Sequence, residues 1–140
     1  MAQVAPQGIA GLDARRGGMS DIREIDIIRT YLLRFGVKQE QVPSMIQAVV
    51  KDGARFTRMG NTMMSMKPLS QNAAQVYFYT VSKMPEFVAE VKGFLGKLKA
   101  KGISVLYMNK EDQDIMQAIQ AAGISVQQSD RPEFKVMAGI

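Results

Sequence analysis

Val76-Tyr77-Phe78-Tyr79-Thr80-Val81 is a run of β-branched and aromatic residues with almost nothing that a solvent face would want. A strand of that composition is buried on both sides, which puts it inside a sheet rather than at its rim. The period then changes: Phe87, Val88, Val91, Phe94, Leu95 and Leu98 stand at offsets 0, 1, 4, 7, 8 and 11, a stripe that fits a 3.6-residue repeat and no strand. This long helix is expected to lie on the sheet. Gly102 follows, and Ile103-Ser104-Val105-Leu106-Tyr107-Met108 is a second apolar strand that a helical crossover sets parallel to the first. The unit is βαβ.

Toward the carboxyl end, Asn109 leads into a shorter helix with an acidic first turn, Glu111, Asp112 and Asp114, and an apolar face of Ile115, Met116, Ile119 and Ala122 that runs up to Gly123. Ile124 to Val126 and Glu133 to Met137 read as closing strands around the turn residues Ser129-Asp130-Arg131-Pro132. Toward the amino end, Arg55 to Met59 alternates, Gly60-Asn61 signals a two-residue turn, and Thr62 to Lys67 returns antiparallel as a hairpin. Two helices precede it. The first is expected to be capped by Ser20 or Asp21, with Glu24 at capping-box distance and a face of Ile22, Ile25, Ile28, Leu32 and Phe35 that ends at Gly36. The second starts near Gln39 to Pro43 and carries Met45, Ile46, Val49 and Val50 up to Asp52-Gly53. Residues 1–20 are rich in Gly, Ala, Gln and Arg and show no period, so they read as an arm before a single domain of residues 21–140. Such an arm is either a disordered terminus or a segment that orders on a partner through Ile9, Leu12, Arg15 and Arg16.

Composition excludes several chemistries. Without cysteine there is no disulfide, thiolate metal site or cysteine nucleophile, and without histidine the commonest general base and metal ligand are both missing. No metal site is expected. The formal charge of +5 is spread over both halves of the sequence, which ranks nucleic-acid binding last among the readings. No signal peptide and no membrane-length apolar run is evident, so the expected location is cytoplasmic.

Two helices, a hairpin, a central strand, a long helix, a parallel strand, a shorter helix and a final strand pair is an α/β order with a mixed sheet. It resembles the GCN5-related N-acetyltransferase (GNAT) fold from about Ser20 to the end, with only that family's opening strand lacking a counterpart. The Asn109 to Gly123 region is similar to the family's strand, Asn-containing turn, helix and Gly-hydrophobic sequence, with Gly123-Ile124 in place of Gly-Phe. The resemblance implies an acetyl-CoA site in a glycine-rich loop between the central strand and the long helix. Here that stretch is Ser82-Lys83-Met84-Pro85-Glu86: it has no glycine, Pro85 removes an amide donor, and Glu86 sets a negative charge at the helix end that would meet phosphate. Where many members carry a proton-donating Tyr, four residues before the Gly-hydrophobic pair, this chain has Ile119.

The expectation is a GNAT-fold protein without catalytic residues or cofactor, similar to acetyltransferase-like proteins encoded by bacteriophages. It would act as a binding or structural module among other proteins of an assembly such as a phage virion. Its partner surface would be the arm, the Met-rich hairpin with Met63 and Met64, or both. Core filler is the competing reading of those methionines. The alternative is an acetyl-CoA-dependent N-acyltransferase with an atypical loop, whose strands splay at Val81 and Ile103 to admit the cofactor. In that case Val81, Lys83 and Asn109 would hold acetyl-CoA, Tyr107, or else Tyr77 or Tyr79, would be the acid, and Glu111, Asp112 or Asp114 the base.

Overall fold

The computed structural model describes residues 22–109 and 113–140. The elements are α1 (Glu24–Arg34), a 3-10 turn (Gln39–Gln41), α2 (Val42–Lys51), β1 (Arg55–Met59), β2 (Thr62–Pro68), β3 (Ala73–Thr80), α3 (Met84–Ala100), β4 (Val105–Met108), α4 (Gln113–Ala121), β5 (Val126–Gln128) and β6 (Val136–Gly139). One six-stranded sheet runs in the order β1-β2-β3-β4-β6-β5. Only the β3–β4 pair is parallel, as the crossover through α3 requires. The α/β reading with a mixed sheet therefore holds in element order and type.

Register decides which side chains meet. Phe56 pairs with Ser65 and Ser65 with Tyr77, so these share one face of the sheet, while Met64 and Phe78 share the other. Phe78 lies 6.1 Å from the Phe87 ring and 5.8 Å from the Phe94 ring, which fixes α3 over that second face. Phe87, Val91, Phe94, Leu95 and Leu98, five of the six stripe residues, are buried there, and α4 adds Ile115, Met116 and Ile119 beside them. The first face is covered by α1, whose Tyr31 ring meets Tyr79 edge-on at 5.7 Å. At the other side of that face a small separate cluster forms from Ala73, Tyr107 and Phe134.

Local boundaries differ from the sequence reading in instructive ways. Helix α1 begins at Glu24 with Arg23 as its N-cap, and Arg23 makes no side-chain cap bond; Ser20 and Asp21 lie outside the described residues. The entrance is instead held by β1. Arg58 donates from Nη1 to the Ile22 carbonyl at 2.9 Å and to the Glu24 carboxylate at 3.2 Å, both partners being largely buried. That long-range pair also rotates α1, so its buried stripe is Glu24, Ile27, Ile28 and Tyr31, and Phe35 is left 49% exposed. Residues 39–41 form a 3-10 turn before α2 starts, and on α2 only Val42 is fully buried. The closing strands fall two to three residues later than their apolar runs, because β5 and β6 take their register from β4.

Helix α3 contains two glycines, each unfavourable by about 1 kcal/mol relative to alanine in a helix. They have different neighbours. A Cβ on Gly93 would lie 2.1 Å from the Met59 sulfur, so its absence lets β1 close on the helix, whereas a Cβ on Gly96 would meet nothing within 4 Å. Gly96→Ala is therefore expected to stabilise the fold by about 0.5–1 kcal/mol. Gly93→Ala is expected to lose about 1 kcal/mol as Met59 is displaced. Urea unfolding of the two variants beside the parent checks both signs.

Candidate functional site

Strands β3 and β4 pair through Ala73 with Val105, Ala74 with Leu106 and Gln75 with Tyr107, and there the pairing stops. Beyond it the carboxyl ends separate, and a cleft of about 280 Å³ opens between them. Val76 to Tyr79 form one wall, Met108, Asn109 and Ile115 the other, and Tyr31, Leu32, Met45 and Val49 of α1 and α2 close the side. Because the strands are parallel, Ile103 stands at the opposite end from Val81. The divergence expected at Val81 and Ile103 lies instead between the ends of β3 and Met108–Asn109.

The cleft is apolar with phenolic edges. Asn109 Nδ2 donates to the Tyr77 hydroxyl, a bond that reaches from one splayed strand to the other, and Gln75 Nε2 stands 3.5 Å from the same oxygen. The Tyr79 hydroxyl is 3.4 Å from Ser65 Oγ. Among the described lining residues there is no carboxylate and no ammonium or guanidinium group. The walls suit an apolar or aromatic group and offer no strong base.

Of the candidate site residues read from the sequence and described by the structure, Asn109, Tyr77 and Tyr79 line this cleft. Tyr107 does not reach it and so is not placed to act as an acid there: its ring is 6% exposed and stacks on Phe134 at 5.4 Å, and Arg131 sits 5.1 Å from the ring centroid. Its hydroxyl donates to Asp130 at 2.9 Å. Val81 is half-buried and Lys83 is the exposed N-cap of α3. Met63 and Met64 are 0% and 4% exposed, so neither is open to a partner, and a surface built on them does not form. Glu111 lies outside the described residues, as do Asp112, Ile9, Leu12, Arg15 and Arg16. Tyr31, Met45 and Val49 were missed because helical periodicity marks an apolar face without saying whether core or cleft meets it.

The turn from β3 into α3 is occupied by the chain itself. Val81 N–H donates to the Asn61 carbonyl at 3.2 Å, Ser82 N–H donates to Thr80 Oγ1 at 2.9 Å, and Pro85 has no N–H. Below the turn, Glu90 accepts from Thr62 Oγ1 at 2.6 Å, Ser82 Oγ at 2.7 Å and Asn61 N–H at 3.2 Å. One carboxylate thus joins α3 to the β1–β2 turn and to the end of β3. Gly60 makes room for it, since a Cβ there would lie 2.0 Å from Glu90 Oε2. No group of three metal-ligating side chains occurs among the described residues, and no described helix is long and apolar enough to cross a membrane.

No family model matches the chain, and no curated protein matches it. Solved structures do. Ard1 from Thermoplasma volcanium is similar with a TM-score of 0.51 at 8% identity, over 83% of this chain and 91% of that one. A Desulfovibrio desulfuricans protein assigned to the GNAT family of acetyltransferases gives 0.49 at 13% identity, over 84% and 91%. The ribosomal-protein-S18-alanine N-acetyltransferase from Escherichia coli gives 0.47 at 8% identity, over 86% and 88%. At such identities the likeness is one of fold.

Glu90→Ala removes the shared acceptor of three donors in the Glu90 network. It is expected to lower stability by about 2 kcal/mol, and Glu90→Gln, which keeps one oxygen, by about half as much. Chemical denaturation of both variants measures the difference.

Proposed function

The chain has the GNAT fold, and we propose that it does not use acetyl-CoA and works instead as a binding module in a larger protein assembly. One observation carries this reading: in the turn from β3 to α3, two backbone amides are already hydrogen-bonded within the chain and a third position is proline. A diphosphate at a helix start is held by free amides and by the positive end of the helix dipole. Here Glu86 in the first turn of α3 opposes that dipole's attraction for an anion, so the residues present do not fit the pyrophosphate of coenzyme A.

The assembly we propose is a phage virion, with the arm of residues 1–20 as one of the contacts. The runner-up, an active N-acyltransferase, is favoured by the open cleft between β3 and β4, which has room for a slender thioester arm. Titration calorimetry separates the two. We expect no acetyl-CoA binding tighter than about 0.1 mM, and an affinity beyond about 5 kcal/mol would return the chain to the transferases.

A further inference from the structure

We propose that the solvent face of α3 docks an acidic helical segment of a partner protein, an inference that rests on the binding-module reading and names the chemistry of the partner. From residue 83 to 101 the chain carries Lys83, Lys92, Lys97, Lys99 and Lys101 against only Glu86 and Glu90. All five lysines are exposed. Glu90 is turned into its hydrogen bonds with Asn61, Thr62 and Ser82, which leaves Glu86 as the one outward carboxylate of the helix. Among the described residues none of the five lysines forms an ion pair, while Arg23, Arg29, Arg58, Lys67 and Arg131 all do. Among the described residues half of the cations without an ion pair lie between residues 83 and 101, the others, Arg34, Lys38, Lys51, Arg55 and Lys135, being scattered over the rest of the chain.

The helix dipole accounts for part of this, since cations favour the last turn, where Lys97 and Lys99 lie. It does not account for Lys92 at mid-helix, and it opposes Lys83 at the N-cap. The shape of the face points the same way. Ala89, Gly96 and Ala100 are exposed and fall on the outward line of the helix, with Lys92 and Lys99 along one border and Lys97, with the lone outward carboxylate Glu86 further toward the amino end, along the other. Gly96 gives up helix propensity although nothing in the described chain approaches it, in contrast to Gly93, which makes room for Met59. A small-residue floor lets a second helix come close, and lysines on both borders meet its carboxylates. The face has no arginine and no exposed aromatic ring, the groups that clamp phosphate in two places and stack bases, so it fits an acidic protein segment better than a nucleic acid.

The test uses the full chain and a fluorescent helical alanine peptide with glutamate at every fourth position, followed by anisotropy at low salt. Binding is expected, and Lys92→Glu with Lys99→Glu should weaken it at least tenfold. The same charge change elsewhere, Lys38→Glu with Lys135→Glu, should stay within about threefold, and Gly96→Leu should weaken binding with no change of charge. The proposal is overturned if the peptide does not bind, if both charge-reversed pairs weaken it equally, if Gly96→Leu binds as the parent does, or if a DNA duplex of equal charge binds more tightly. Circular dichroism confirms that each variant is folded. Acetyl-CoA binding, read separately, would overturn the preceding function without touching this result.

Discussion

The parallel pairing of β3 and β4 lasts for three residue pairs, and the rest of the architecture depends on where it stops. While paired, the two strands form the centre of the sheet and give α3 and α4 a surface to pack on. Once unpaired, they leave backbone and side chains facing a gap, and Tyr77, Asn109 and the walls from α1 and α2 border that gap instead of core. A fold that kept the pairing going would have no cleft. The splay is a property of two chain segments far apart in sequence, held by the layers above and below them.

Two polar hubs hold those layers in place. Arg58 ties the entrance of α1 to β1 through a pair that is nearly buried on both sides, and Glu90 ties α3 to the β1–β2 turn and the end of β3. Buried polar groups are unfavourable unless fully partnered, so each hub specifies one arrangement of helix on sheet more than it adds net stability. The Glu90 hub also bears on function. It and the intrachain bonds of Val81 and Ser82 occupy donors in the turn from β3 into α3, the observation on which the proposed loss of an anionic cofactor rests.

The apolar surface follows the same logic. Leu33, Phe35, Met45 and Val50, the large exposed hydrophobics among the described residues, all belong to α1, α2 or the turn after α1. The α3 side exposes lysines and small residues instead. The two faces therefore expose different chemistries, one carrying large apolar side chains, of which Met45 also lines the cleft, the other carrying lysines.

Much of the fold was legible in the sequence because periodicity and turn chemistry are local. The stripe of α3, the Gly60-Asn61 hairpin and the glycine ends of α3 and α4 need only neighbouring residues to specify them. The candidate site was legible in part, in the missing glycine loop, in Asn109 and in the tyrosines Tyr77 and Tyr79 of the central strand. The rotation of α1, the burial of Met63 and Met64 and the withdrawal of Tyr107 to Asp130 were decided by tertiary structure. Each depends on a partner tens of residues away, as with Arg58 and Ile22, and a repeat read along one segment carries no information about which distant group will face it.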